Sequence, residues 1–355
     1  MTKYNGKVIN LTEGTGMKFT LINSTSELDS LAEHWDNLLK ESASRVPFLH
    51  FAYLRNWWET RGGGEWKSGE LAVVTAEEDG RLVGIAPLFF SQNREGEPAL
   101  LLLGSIEISD FLDVIVRPQD VVRFTAGLLE FLEGLPALEW HVLDWYNILE
   151  DSPTLPAMEA ATRDRGRPCT VEKLAHSPYI PLKGSWEEYL EGIDKKQRHE
   201  IRRKMRRVES SEQPARWYVV EDGNSLDAEG DAFLALMAQD PEKVRFLVPE
   251  MRRQMKATLR WAFDAGILQL AFLEIGGKKA AGYFNFDYQN RIWVYNSGLD
   301  NQFREYSPGW VLLGNLLQWA TEQRREEFDF LRGNEEYKYR FGAVDRFVMR
   351  LTVRR

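Results

Sequence analysis

The sequence predicts an α/β (α+β) protein built as two similar halves in tandem, each a mixed, mostly antiparallel sheet flanked by helices. Three observations carry this reading. First, each half holds a hairpin of strand-forming residues turned at a Gly-containing pair. These are "LAVVTAEEDGRLVGIAPLFF" around Asp79-Gly80 and "LQLAFLEIGGKKAAGYFNFDY" around Gly276-Gly277. Second, each hairpin is followed by the same series of strand, helix and strand. The first half reads "FLDVIV", "DVVRFTAGLLEFLEG" and "LEWHVLDWYN"; the second reads "RIWVYNSG", "GWVLLGNLLQWATEQRR" and "EEFDFLRG". Third, the two series lie roughly 190 residues apart, too far for a solenoid repeat and right for a domain duplication.

Helical segments open both halves. In "STSELDSLAEHWDNLLKESA", Leu28, Leu31, Trp35, Leu38 and Leu39 share one face, with Ser24 or Ser26 placed to cap it. In "SWEEYLEGIDKKQRHEIRRKMRRVESS", Ser185 and Glu188 have the spacing of a capping box. Ile201, Met205 and Val208 then form an apolar stripe on a helix whose run "KKQRHEIRRKMRR" holds eight Lys or Arg and one acid. Between the halves, "EDSPTLPAMEAATRDRGRPCT" mixes Pro, Gly and charge, with some helical character at Leu155, Met158 and Ala161. The reading divides the chain into 1–170 and 171–355.

Composition narrows the function classes. A 355-residue chain with 43% hydrophobic and 28% charged residues is a globular one. Its net charge of -9 argues against general nucleic-acid binding. The single Cys169 allows no internal disulfide and no cysteine-based metal site, and the five His are scattered. The first 16 residues lack an apolar leader, and no run of apolar residues reaches membrane-spanning length. These points lead to the expectation of a cytoplasmic protein without a membrane span or a metal.

One stretch points to a ligand. "REYSPGWVLLGNLLQWA" begins a helix with Ser307-Pro308-Gly309. A helix N-terminus offers unpaired N–H donors and a partial positive charge, so anions bind there readily. Pro308 suits the first turn, because its missing N–H costs nothing there. Gly309 lets a ligand approach the backbone, Ser307 can cap the helix or bond an oxygen, and Arg304 adds a cation. The same residues also make an ordinary helix start. If the strands around this helix are parallel neighbours, ligands bind beyond the carboxyl end of the first strand. That brings Asn296 and Ser297 to the same place.

The segment Arg304-x-x-Ser307-x-Gly309 resembles the pyrophosphate loop of the GNAT acyl-CoA N-acyltransferase fold, usually R/Q-x-x-G-x-G/A. Ser307 stands where that pattern has its middle glycine. "FDFLRGNEEYKYRFG", with the segment from Ser177 through the basic run, is similar to the CelD-type, BioF2-like acetyltransferases and to the Fem aminoacyltransferases. That family's tail reads G-D-E-x-Y-K; here it is Gly333-Asn334-Glu335-Glu336-Tyr337-Lys338, with Asn334 in place of the acid. The resemblance covers most of Ser177 to Arg350 and is weaker over Phe19 to Asn147.

The resemblance implies tandem GNAT-like domains and acetyl-CoA or another acyl-CoA as co-substrate. The donor would lie at Asn296, Ser297, Arg304, Ser307, Pro308, Gly309 and Trp310, in the C-terminal domain. The equivalent first-half loop, "VRPQDVVRFTAGLL", lacks the glycine and carries Asp120, so no donor is expected there. Transfer needs proximity, a base for the attacking ammonium and polarisation of the thioester carbonyl. Glu335 is the candidate base, Tyr337 would present its hydroxyl, and Lys338 would meet a phosphate or an anionic substrate. Surface or packing roles are equally open to all three. The leading expectation is acyl-CoA-dependent N-acylation, with acetyl first, of a small-molecule amine, amino sugar or peptide. An aminoacyl-tRNA-dependent, Fem-like transferase and a non-catalytic binding protein are the alternatives. The basic run reads as a solvated face or as a contact for a CoA phosphate, an anionic glycan or tRNA; it favours the tRNA alternative, and the lack of a long coiled-coil arm argues against it. Acceptor, acyl length and oligomeric state stay open.

Overall fold

The computed structural model describes residues 8–9, 16–135 and 138–355. The leader reading on residues 1–16 falls largely outside them. The chain forms two compact units, one of residues 1–175 with 347–355 and the other of 176–346.

The first unit runs β1 (Val8–Ile9), β2 (Lys18–Ile22), α1 (Thr25–Asp29), α2 (Ala32–Glu41), α3 (Phe51–Gly64), β3 (Glu70–Leu71) and β4 (Val73–Glu78). It continues with β5 (Arg81–Ala86), β6 (Leu88–Gln92), β7 (Pro98–Leu102), β8 (Ile115–Val116), α4 (Val121–Glu133), β9 (Val142–Leu149), α5 (Thr154–Asp164) and β10 (Cys169–His176). Its strands make two sheets, where the sequence reading has one. The first sheet has the order β1-β2-β4-β5-β8. The second contains β9-β7-β6-β3, with β7 and β9 parallel. The switch falls at Pro87, between β5 and β6. Proline has no N–H to continue a ladder, so the chain leaves one sheet there and enters the other. The strand expected at "FLDVIV" shrinks to Ile115–Val116.

The second unit runs β11 (Tyr179–Pro181), α6 (Trp186–Gly192), α7 (Lys195–Glu209), β12 (Ala215–Val219), α8 (Leu226–Met237), α9 (Pro241–Phe246), α10 (Pro249–Asp264) and β13 (Leu268–Ile275). Then follow β14 (Lys278–Tyr288), β15 (Arg291–Leu299), α11 (Pro308–Glu322), β16 (Glu327–Asp329) and α12 (Glu336–Arg340). One six-stranded sheet has the order β11-β16-β15-β14-β13-β12. Only its β15–β16 pair is parallel, and α11 connects those two strands. The last strand, β17 (Phe347–Arg354), pairs with β9 in the first unit, although the sequence pattern leaves it in the second half.

Local sequence explains the tight turns. Asp79 (φ 51) and Gly80 (φ 76), and Gly276 (φ 58) and Gly277 (φ 75), are left-handed pairs, as two-residue hairpins between right-twisted strands require. The capping box forms at α6, where Ser185 Oγ accepts the Glu188 N–H and Glu188 accepts the Ser185 N–H. On α7 the stripe of Ile201, Met205 and Val208 is buried against Leu312, Leu316 and Leu317 of α11 and Ala271 and Leu273 of the sheet. On the other face, Phe233 of α8 meets Phe284 edge-on at 6.1 Å, and Trp261 of α10 lies 5.8 Å from Phe286. The sequence reading assigns no element to the stretch that forms α8, α9 and α10. Among the described residues, no helix is long and apolar enough to cross a membrane.

Candidate active site

The site is built where two parallel strands part. β15 and β16 pair only over residues 291–293 and 327–329. β16 then ends, while β15 runs on to Leu299. A register shift against β14 at Phe284/Asn285 marks a bulge in the same stretch of β15. Beyond the parting, a cavity of about 450 Å³ lies among the end of β15, the start of α11, α7 and α12.

Arg304, Ser307, Pro308, Gly309 and Trp310 all line this cavity, as do Ser297 and Tyr337. Arg304 is exposed, and among the described residues its guanidinium has neither hydrogen bond nor ion pair. Ser307 is left-handed (φ 51, ψ 53), and its side chain makes no capping bond, contrary to one of the two roles expected of it. Its carbonyl accepts the Val311 N–H, closing the first turn of α11 at 3.1 Å. The left-handed φ explains why the resembling loop has glycine at this position. A side chain in that region costs roughly 1–2 kcal/mol. Gly309 has an ordinary φ, and its role is steric: a Cβ there would come 2.7 Å from Leu299 Cδ2.

The cavity wall is aromatic. Trp310 lies 4.6 Å from Phe341 by ring centroids, and Lys204 of α7 holds its ammonium 3.9 Å over the Trp310 ring. The Trp310 indole N–H is buried without a partner among the described residues. Burial pushes the hydroxyls of Tyr283 and Tyr337 well above the ordinary tyrosine range, so both stay protonated at neutral pH. The Tyr337 hydroxyl has no hydrogen-bond partner among the described residues, and Tyr283 reaches the Gly309 carbonyl at 3.5 Å. Tyr283 and Phe341 have no role in the sequence reading, and Lys204 enters it only as one cation of the basic run; the three come to the cavity from separate elements.

Three expected residues lie outside the lining. Asn296 Oδ1 accepts the Ser297 N–H at 2.9 Å and the Lys243 ammonium at 3.0 Å. Glu335 is the residue before α12; its side chain is 58% exposed and lies 2.9 Å from Lys338 Nζ. Lys338 is turned inward and only 3% exposed, so it does not present a free cation to a ligand. It donates to the carbonyls of Arg332 and Gly333, each at 3.0 Å.

Four of the eight cations of the basic run are ion-paired, to three carboxylates. Arg202 pairs with Glu187, Arg203 and Lys204 with Glu200, and Arg207 with Glu305. In the first unit, Asp120 at the start of α4 is buried, with Oδ2 2.8 Å from Arg117 and Oδ1 2.7 Å from Arg123. Two arginines thus occupy that helix start.

Residues 195–339 match the acetyltransferase (GNAT) domain Acetyltransf_6. Among curated proteins, none matches the chain in sequence. Among solved structures the chain is similar to FemX, at 9% identity and a TM-score of 0.63, over 90% of this chain and 95% of that one. A conserved protein of unknown function from Bacteroides thetaiotaomicron VPI-5482 gives 14% identity and 0.60, over 94% and 99%. L-PGS from Bacillus licheniformis gives 14% and 0.55, over 91% of each chain. At these identities the likeness is one of fold.

Proposed function

We propose that this chain, which carries a GNAT acetyltransferase domain over residues 195–339, transfers an acyl group from acyl-CoA to an amine. The observation that carries the reading is the cavity at the start of α11, where the exposed Arg304 has no partner among the described residues. A thioester with a pyrophosphate arm suits such a place. The helix N-terminus and Arg304 favour the anionic arm, and the aromatic wall favours the acyl-bearing end.

In this reading Ser297 and the Arg304–Trp310 loop hold the donor, with Lys204 as a second cation. Asn296 shapes the parted edge of β15. Tyr337, kept protonated by burial, hands a proton to the departing sulfur. Glu335 and Lys338 act on each other, fixing the turn that carries Tyr337. The second unit holds the donor, and the first does not, since Arg117 and Arg123 already occupy its Asp120-bearing helix start. The acceptor is a primary amine on a small molecule, amino sugar or peptide. Four of the eight cations of α7 already hold carboxylates, which weighs against a tRNA-borne donor.

The test is calorimetric titration of the full chain with CoA, acetyl-CoA and a longer acyl-CoA. Saturable binding that Arg304→Gln weakens is expected. Binding of none of the three would end the reading.

A further inference from the structure

We propose that the Tyr283 and Ser297 hydroxyls, side by side on β14 and β15, hold the carbonyl oxygen of the thioester during transfer. The proposal deepens the preceding reading of the cavity as the donor site and rests on it. Tyr283 and Ser297 are register partners past the bulge at Phe284/Asn285. β16 accompanies β15 only as far as Trp293, so the pair lies beyond the parting. Side chains directly opposite on antiparallel strands share a face, with Cβ atoms about 4.5–5.5 Å apart. Ser297 and Leu299, two residues apart on β15, both line the cavity, so that face of the sheet forms its floor. Tyr283 lines it from the next strand, and Gly309 at the start of α11 lies over Leu299.

Both hydroxyls can donate. Among the described residues Ser297 Oγ has no hydrogen bond; only the main chain of Ser297 is held, by Asn296 and Lys243. Tyr283 is 4% exposed, and its single hydrogen-bond partner among the described residues is the Gly309 carbonyl, at 3.5 Å. Hydroxyl donors ordinarily come within about 2.7–2.8 Å of their acceptor. That long contact sets the phenol beside the first turn of α11 without using up its proton. Buried polar groups nearly always find a partner in a finished fold, so a buried O–H held this loosely suits an acceptor that arrives with the ligand. The Tyr337 hydroxyl, also unpartnered among the described residues, borders the same cavity. Sulfur and carbonyl oxygen are bonded to one carbon, so a proton donor for the first and hydrogen bonds for the second must converge on one spot.

The acceptor enters as a free amine. Its nitrogen lone pair attacks the thioester carbonyl carbon and forms C–N, and the C=O π pair moves onto oxygen. Tyr283 and Ser297 hold that oxygen through two O–H···O bonds that strengthen as its charge grows, while both keep their protons. The pair then returns to carbon, and the C–S bond breaks with its electrons on sulfur. One nitrogen proton passes by way of the Tyr337 hydroxyl to that sulfur. An amine and a thioester become an amide and a thiol.

The experiment uses the full chain, Tyr283→Phe, Ser297→Ala and the double variant, with acetyl-CoA carrying heavy carbon at the carbonyl. Isotope-edited infrared difference spectra read the bound C=O band, which drops in wavenumber when the oxygen accepts hydrogen bonds. CoA affinity is measured by calorimetry alongside, and kcat and KM by thiol release over a panel of amines: glucosamine, lysine methyl ester and alanyl peptides. The wild type is expected to lower the band relative to free acetyl-CoA, each single variant to reverse part of the shift, and the double variant all of it. Tyr283→Phe should lose about 10²- to 10³-fold in kcat, with KM and CoA affinity kept within about threefold. A wild-type band at the free position, or a shift that survives in the double variant, overturns the proposal. So does a Tyr283→Phe that loses CoA affinity with the band unmoved, which marks the tyrosine as a prop for Gly309. If no amine of the panel is acylated, the infrared spectra alone decide. A wild-type chain that binds no CoA removes the donor reading, and this role with it; CoA binding without the band shift removes this role alone.

Discussion

Lys338 Nζ lies 2.9 Å from Glu335 Oε2 and donates to two main-chain carbonyls, those of Arg332 and Gly333. The pair is a clasp around the turn before α12. Lys338→Met leaves both carbonyls without their donor and should cost about 1–3 kcal/mol in urea denaturation. CoA affinity should change little. A variant that loses CoA affinity at full stability would show that the ammonium serves the ligand.

Ser307→Gly relieves a left-handed side chain at a position where the resembling loop has glycine. Stability should rise or stay level, by up to about 1 kcal/mol, with CoA binding retained. A clear loss of affinity would mean that the hydroxyl touches the donor.

Gly309→Asp puts a carboxylate at the α11 N-terminus and a Cβ against Leu299. CoA affinity should fall at least about tenfold, roughly 1.4 kcal/mol. Asp120→Ala, in the first unit, should leave the affinity unchanged. The reverse pattern would move the donor site to α4.

Arg203 is exposed and bonded twice to Glu200, each at 2.8 Å, whereas Lys204 lines the cavity. Lys204→Gln should therefore weaken CoA binding and reduce its salt dependence, while Arg203→Gln should do neither. Equal losses in calorimetry at low and moderate salt would make the whole basic face the contact.

Asp329 is fully buried beside Arg346, accepts the Leu331 N–H at 2.8 Å, and is pushed up to about 6 by burial. Its folded pKa lies above the unfolded value of about 4. The folded state then binds more protons between those limits. The stability this supplies is fully present below about pH 4 and lost as pH rises through about 6. Denaturation midpoints of the wild type should fall across that window, and Asp329→Asn should remove this part of the slope. An unchanged slope in the variant would assign it to another group.

Short-range features were legible in the sequence because their partners are neighbours in the chain. The Asp79-Gly80 and Gly276-Gly277 turns, the Ser185–Glu188 box and the Ile201–Met205–Val208 stripe each need only a few consecutive residues. The start of α11 belongs to the same class. What was not legible depends on packing at a distance. Lys204, Tyr283 and Phe341 reach one cavity from α7, β14 and the residue after α12. Lys243 sits on a six-residue helix whose only local signal is Asp240-Pro241, a cap followed by a first-turn proline. The inward turn of Lys338 could not be read either, since a lysine after a glutamate usually signals an exposed pair. Pro87 carried a readable signal for the sheet switch, but it sits between two strands of matching pattern.

The place of β17 sets an order of events during synthesis. In its sheet β17 lies between β10 and β9, so β10 has no strand to join until residues 347–354 emerge. The 171 residues of 176–346 are made in the interval, about 10–30 s at ordinary elongation rates. Meanwhile Ser177 and Arg346, joined by an N–H to carbonyl bond of 2.7 Å, bring the two ends of the nested unit together. The ribosome thus finishes the inner body before the outer one can close. A stop codon ahead of Phe347 would harm the half of the protein that was translated first.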